Sequence, residues 1–161
     1  MVRWSAAAAA IAVLWSAVAM AQEPSRPSVA YGQVMSIIGG CHDCHTSNYS
    51  EKGGVIDPAT ALAGSPVGFR GPWGTTYAIN LRLLVSEMSE DDWVSFLKNF
   101  TALPPMPYYN VRHMDEVQMR SLYEYIASLG ALGETAPEDV RPGQEPKTPF
   151  LVFAPPTVPA P

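Results

Sequence analysis

The stretch Gly39-Gly40-Cys41-His42-Asp43-Cys44-His45 contains both cysteines and two of the three histidines of this 161-residue chain. On one helical turn, residues i, i+3 and i+4 share a face, so Cys41, Cys44 and His45 point in the same direction. This arrangement is typical of covalent haem attachment, in which the two thiols add to the haem vinyl groups and the histidine binds the iron. The sequence therefore predicts one covalently bound haem c.

Three other uses of the cysteine pair are open. A thioredoxin-like redox site needs a βαβ pattern around the motif, and no such pattern is visible. A zinc site needs four ligands, so it would have to add two of His42, His45 and His113 to the thiolates. A disulfide between the two cysteines would close a very short loop in strained geometry. Haem attachment is the favoured interpretation because it uses both thiols and the adjacent histidine together.

The N-terminal residues predict export of the chain. Residues 1–21 combine Arg3, an alanine-rich apolar stretch and a small-x-small site ending at Ala21, which is the layout of a cleaved secretory signal peptide. An uncleaved N-terminal anchor is the alternative. We divide the rest into a polar lead (22–27), a haem domain (28–133) and a proline-rich tail (134–161). Export predicts a periplasmic location, which agrees with haem attachment outside the cytoplasm.

The composition narrows the possible partners. The chain has 10 basic and 15 acidic residues, a net charge of -5, which disfavours nucleic acid as a partner. No apolar run reaches about 20 residues, so a multi-pass membrane protein is excluded, and membrane contact is expected only through a partner or an uncleaved signal. No constellation of nucleophile and base stands out. We therefore expect neither a small-molecule substrate nor an enzyme.

Three helices are predicted outside the cysteine motif. The first runs from Ser28 to about Gly39, with an apolar face formed by Val34, Ile37, Ile38 and Cys41. The second begins after the capping residue Ser89, and the third follows a capping box of Asp115 and Gln118. Between the cysteine motif and the second helix, residues 46–88 show little periodicity. A loop of this length needs something to pack on. A haem would provide that surface.

Met106 is predicted to be the second axial ligand of the iron. It lies within Pro104-Pro105-Met106-Pro107, a stiff segment between two helices, so it loses little entropy on ligation. Met35 and Met119 lie on apolar helical faces, where packing is the default. The alternative ligands are Met114 and His113. We expect His42 to be exposed, since it is too close to His45 to reach across the ring.

The chain resembles a monohaem class I cytochrome c, and is similar to the haem domains of cytochrome subunits of periplasmic and membrane-bound dehydrogenases. Apart from the attachment motif, the matching segments are Gly71-Pro72-Trp73-Gly74-Thr75-Thr76-Tyr77-Ala78-Ile79-Asn80, Pro105-Met106-Pro107-Tyr108 and Leu122-Tyr123-Glu124-Tyr125-Ile126. The resemblance implies an all-α class I cytochrome c fold with long loops around the haem. The terminal helices should cross, with Gly32 close to the last one. It also implies Met106 as distal ligand and a carbonyl of the Pro72 region near the imidazole N–H of His45.

The implied function is single-electron transfer between a dehydrogenase and a respiratory acceptor. The acidic balance, reinforced by haem propionates, favours a redox partner with a basic docking surface. A haem protein with an open distal site, which would bind gases or react with peroxide, is one alternative. A haem subunit tethered in a larger oxidoreductase is another.

Other residues near the haem are expected to line it. The loop aromatics Trp73, Tyr77, Tyr108 and Tyr109 each have a ring to cover the haem and a polar group that reaches a propionate. Arg70 or Arg82 would pair with a propionate. The tail, which contains eight of the sixteen prolines, is either disordered or an extended arm that docks through Phe150 and Phe153.

Overall fold

The computed structural model describes residues 24–157. The predicted signal peptide and its cleavage site lie outside these residues, as do the first part of the lead and the last four residues of the tail. Within the described range, no helix is both long enough and apolar enough to cross a membrane.

The fold is mixed α/β, so the prediction of an all-α class I cytochrome c fold is wrong. The described residues form six helices and a three-stranded sheet. The helices are α1 (Val29–Ile38), α2 (Cys41–His45), α3 (Leu81–Ser86), α4 (Glu90–Asn99), α5 (Tyr108–Val111) and α6 (Glu116–Ser128). The strands are β1 (Gly68–Gly71), β2 (Gly74–Tyr77) and β3 (Phe150–Val152).

The sheet joins two parts of the chain that are distant in sequence. Strands β1 and β2 form an antiparallel hairpin in which Gly68 pairs with Tyr77. Strand β3 adds to the other edge of β1, in parallel, so the order is β2-β1-β3. The strands have only three or four residues and include several glycines, so they are too short for alternating hydrophobicity to reveal them. This is the physical reason why the sheet was not predicted.

The three predicted helices are confirmed as α1, α4 and α6. The side chain of Ser28 accepts a hydrogen bond from the Tyr31 backbone N–H, and Ser89 accepts one from Asp92 in the same way. Asp115 and Gln118 form the expected capping box. These local bonds satisfy backbone donors that a helix start leaves free, which explains why the starts could be located from sequence.

Helix α1 packs against α6 through small residues rather than through its apolar stripe. Its buried residues are Gly32, Met35 and Ser36. The apolar face predicted from the sequence is exposed, with Val34 at 49%, Ile37 at 44% and Ile38 at 70%. The predicted contact of Gly32 with the last helix is confirmed, since a Cβ there would lie 1.8 Å from the Ser121 carbonyl oxygen. Close backbone approach therefore decides which face is buried.

The main apolar core lies between these helices and the first half of the long connection. It contains residues from α1, α3, α4 and α6 together with one loop residue: Met35, Leu62, Val85, Trp93, Val94, Leu97, Met119, Leu122, Tyr125 and Ile126. The indole N–H of Trp93 donates to the Met119 carbonyl at 2.9 Å, which links α4 to α6 inside this core.

Residues 134–157, here called the arm, fold back onto the β1–β2 hairpin. The Phe153 ring lies 6.1 Å from that of Phe69 and 6.0 Å from that of Trp73, measured between centroids. Val140 and Thr75 exchange two backbone hydrogen bonds of 2.8 Å. The docked form of the tail is thus confirmed over the described residues, and β3 lies at an edge of the sheet.

Candidate functional site

The cysteine motif forms one complete turn of helix. Gly40 precedes it with φ +69, a left-handed conformation that glycine adopts without steric cost. Helix α2 then brings Cys41, Cys44 and His45 onto a single turn, as predicted from their spacing. Both cysteines are free thiols and partly buried. The arrangement offers two thiols and an imidazole together on a rigid element.

Burial keeps both thiols in their neutral form. Removal from water raises the pKa of Cys41 to about 11, and the nearby negative charge of Asp43 acts in the same direction. Desolvation also raises the pKa of Cys44. A nucleophilic or redox-active thiolate depends on a lowered pKa. The site therefore lacks the electrostatic preparation that a thioredoxin-like pair requires.

His45 is buried and held in one tautomer. Its side chain is 7% exposed, and its Nδ1–H donates to the carbonyl oxygen of Ile79 at 2.8 Å. Burial lowers the pKa of His45, and the bond to Ile79 opposes this shift only in part. The ring is therefore neutral, with its lone pair on Nε2, which makes no hydrogen bond within residues 24–157. A neutral imidazole oriented through its other nitrogen is the form that binds a metal.

The carbonyl beside His45 comes from Ile79, so the prediction that the Pro72 region supplies it is wrong. Pro72 lies at the exposed turn of the hairpin, between β1 and β2. Strand β2 carries the chain away from that turn before it reaches Ile79. The predicted kind of bond is present, but its acceptor lies seven residues further along the chain, after the β1–β2 hairpin.

Residues 62–65 lie between α2 and the segment that contains Ile79. The backbone N–H of Gly64 donates to the His45 carbonyl at 2.8 Å. On the other side, the Ser65 N–H donates to the Ala78 carbonyl at 3.1 Å, and the Leu81 N–H donates to the Leu62 carbonyl at 3.0 Å. Two backbone bonds thus flank Ile79 and fix the position of its carbonyl relative to His45.

Met106 lies in a tethered segment between α4 and α5. It is partly buried, and the Thr76 hydroxyl donates to the Pro104 carbonyl at 2.8 Å. The Tyr108 backbone N–H donates to the Met106 carbonyl at 2.9 Å. Because Thr76 belongs to β2, the strand that leads to Ile79 also holds the Met106 segment. The chain therefore links the surroundings of both predicted axial ligands through one strand.

The other predicted ligands and loop aromatics have different surroundings. Met35 and Met119 are core residues at 7% and 0% exposure, as predicted. Met114 is partly buried, and its Cε lies 3.5 Å from where a Cβ on Gly39 would be. His113 is exposed. The Tyr108 ring packs near Phe100 and Tyr109, and Tyr109 is 59% exposed.

Three residues predicted to contact the haem bind or pack against the arm. Arg70 donates to both carboxylate oxygens of Glu145, at 2.5 and 2.7 Å, and its guanidinium lies 5.0 Å from the centre of the Phe150 ring. The Tyr77 hydroxyl bonds Thr148 at 2.8 Å. The indole N–H of Trp73 donates to the Phe69 carbonyl, and its ring contacts Phe153.

Arg82 is also engaged within the protein. It is 4% exposed, and its guanidinium donates to the carbonyls of Gly130 at 2.6 Å, Pro58 at 2.9 Å and Leu129. A positive charge at the end of α6 is favourable because helix C-terminal carbonyls are unpaired and partly negative. Its contacts stabilise the connection between α6 and the long loop.

The exposure of His42 was predicted wrongly from the sequence. It was expected to be exposed, but its exposure is 0%. Its Nε2 lies 3.1 Å from the Ser36 hydroxyl and its Nδ1 lies 2.8 Å from the Thr46 hydroxyl. The Tyr49 ring covers it at 5.1 Å between centroids. The available signal was a hydroxyl residue six positions before it and another four positions after it.

Comparison with protein-family models, curated proteins and solved structures gives no match.

Two surface cavities, of about 620 and 420 Å³, lie along the arm, and neither is lined by α2. The two thiols on one turn and the free Nε2 of His45 fit a covalently attached haem.

Proposed function

We propose that this protein is a periplasmic electron carrier with one haem c, attached through Cys41 and Cys44 and ligated by His45 and Met106. The observation that carries the proposal is the state of His45, whose Nδ1–H is bound to Ile79 while Nε2 is left without a partner in the described chain. A bound haem would supply one-electron cycling between Fe(II) and Fe(III).

The residues of α2 would orient and tether the cofactor. The bond from His45 to Ile79 fixes the rotation of the imidazole and keeps the lone pair on the nitrogen that faces away from Ile79. The two cysteines lie three residues apart on the same turn. Thioether links at these positions would hold the ring edge next to the histidine whatever the oxidation state.

The Met106 segment is suited to provide the distal ligand. The bond from Thr76 to Pro104 and the bond from Tyr108 to Met106 restrain the backbone on both sides of this side chain. A restrained backbone loses little conformational entropy when the thioether binds. A thioether ligand favours the reduced iron and raises the reduction potential, which suits an electron carrier that accepts electrons from a dehydrogenase.

The charge of the chain bears on the partner. With 15 acidic and 10 basic residues, the carrier is expected to dock on a redox protein with a basic surface and to pass electrons on to a respiratory acceptor. Such encounters are small, and their rates fall as salt screens the charges. Electron-transfer rates that do not change with ionic strength would argue against this docking mode.

The test is the visible and near-infrared spectrum of the exported protein and of two variants. We expect a low-spin haem c in the wild type, with the weak near-infrared band of methionine ligation in the oxidised state. Met106→Ala should lose that band and bind carbon monoxide rapidly when reduced. Met114→Leu, the matched control, should keep the wild-type spectrum. A wild-type protein that lacks the band and binds carbon monoxide at once would overturn the proposed ligation.

A further inference from the structure

His42 is a fully buried polar residue that haem attachment by itself does not require. It occupies a variable position of the attachment motif, between Cys41 and Cys44. Even so, both of its ring nitrogens are hydrogen-bonded and its exposure is 0%. A buried imidazole with both nitrogens paired is costly to disturb, because each lost partner leaves a polar atom without water.

The hydrogen bonds define which nitrogen of His42 carries the proton. The Ser36 hydroxyl has one hydrogen, and it donates this to the Gln33 carbonyl at 2.7 Å. Ser36 must therefore accept from His42, which places the proton on Nε2. The Thr46 hydroxyl accepts from the Leu62 backbone N–H at 2.9 Å. Its own hydrogen is then free to donate to Nδ1 of His42, so both ring nitrogens of His42 are paired.

This chain of bonds leads from His42 to the carbonyl that orients His45. Thr46 directly follows His45 and binds the N–H of Leu62. The carbonyl of Leu62 accepts from the N–H of Leu81, two residues after Ile79. The Ile79 carbonyl in turn binds Nδ1 of His45. His42 is thus connected to the acceptor of the His45 ring by the hydrogen bonds at Thr46, Leu62 and Leu81 and by the backbone between Leu81 and Ile79.

We propose that His42 is a positioning residue that fixes the orientation of the His45 imidazole through Thr46 and Leu62. The role deepens the proposed function and rests on it, since the ring it orients is the one that would bind iron. The same contacts join α1, through Ser36, to the residue that follows α2. His42 therefore couples the position of the first helix to the geometry of the proximal ligand.

The first test determines the tautomers of the histidine rings in the wild-type protein by nitrogen-15 NMR. We expect His42 as the Nε2–H tautomer with a slowly exchanging proton, and His45 with its proton on Nδ1. An Nδ1–H tautomer for His42 would overturn the proposal. This readout does not require the haem, so it remains valid if the proposed function fails.

The second test removes the two bonds while keeping an aromatic ring at this position, in His42→Phe. We expect the Nδ1 proton of His45 to exchange about tenfold faster, which is the size of one lost net hydrogen bond. The reduction potential should shift and the resonances of the His45 ring should move. Exposed His113→Phe is the matched control and should leave all three unchanged. Unchanged His45 exchange in His42→Phe would overturn the positioning role.

Substitutions at Thr46 separate the bond from general damage to the fold. Thr46→Val keeps the shape without the hydroxyl and should reproduce the faster exchange of His45. Thr46→Ser keeps the hydroxyl and should behave as wild type. Combining Thr46→Val with His42→Phe should add little, because both act on one chain of bonds. An intact mass without haem would overturn the proposed function. Bound haem together with wild-type exchange of the His45 proton in Thr46→Val would overturn only the role of His42.

Discussion

Replacing Gly32 by alanine is expected to destabilise the protein although alanine is the better helix former. A Cβ on Gly32 would lie 1.8 Å from the carbonyl oxygen of Ser121 and 2.7 Å from Cβ of Tyr125. Real Cβ atoms essentially never approach another heavy atom closer than 3.0 Å. The shortfall of about 1.2 Å is against backbone, so no side-chain rotation relieves it, and α1 and α6 must separate.

The expected magnitude follows from two opposing effects. Overpacking of a well-packed interior costs roughly 1–3 kcal/mol, and a clash between backbones belongs at the upper end. Glycine to alanine within a helix gains about 1 kcal/mol of intrinsic propensity. The net loss in the free energy of unfolding is therefore about 2 kcal/mol. Separation would also disturb the bond of 3.1 Å from the Ser28 N–H to the Ser121 hydroxyl.

Chemical denaturation of the wild type and two variants measures this loss. The control is Ala30→Gly, which is exposed on the same helix and reverses the exchange. Propensity alone predicts that this control costs about 1 kcal/mol and that Gly32→Ala gains as much. Close helix packing predicts that both variants lose stability. A Gly32→Ala protein as stable as the wild type, or more stable, would refute the reasoning.

Three further predictions concern the arm, the Met106 segment and the end of α6. Arg70 lowers the pKa of Glu145 through their hydrogen bonds. The ion pair therefore stabilises the docked arm fully above the ordinary pKa of a glutamate. This stabilisation is lost as the pH falls through the lowered pKa. Proteolysis of the arm should accelerate on acidification, and Glu145→Gln should be cleaved quickly at every pH. Equal cleavage rates of the two proteins at neutral pH would contradict this. Thr76→Val should cost about 1 kcal/mol in denaturation by freeing the Pro104 carbonyl, whereas Thr76→Ser should not. Arg82→Met should cost about 3 kcal/mol by removing the donor of the carbonyls of Pro58, Leu129 and Gly130, and a loss below that of Thr76→Val would count against the role given to it.

The parts of the fold that local chemistry determines were predictable. Ser28, Ser89 and Asp115 each cap a helix within a few residues of their own position, so three helix starts were predicted correctly. The turn of α2 followed from the spacing of its cysteines and histidine. The contact of Gly32 with α6 was predicted from the resemblance, since composition alone does not indicate which helices pack together.

The parts that depend on distant residues were missed. Strand β3 pairs with β1 from some eighty residues away, and neither strand is long enough to show alternation. Arg70 binds Glu145, a partner 75 residues further along the chain. The burial of His42 depends on Tyr49 and Thr46 closing over it, which no periodicity encodes. The all-α prediction failed for the same reason, since the arm completes the sheet through pairing with distant residues and its own sequence shows no strand pattern.

The most direct test of the central claim is the intact mass of the exported protein, produced with c-type haem maturation. We expect a mass equal to that of the chain plus one haem, which persists after denaturation because the links are covalent. A variant with both Cys41→Ala and Cys44→Ala should lose the added mass completely. A wild-type mass equal to that of the polypeptide alone, obtained while a known c-type cytochrome matures in the same cells, would contradict the account.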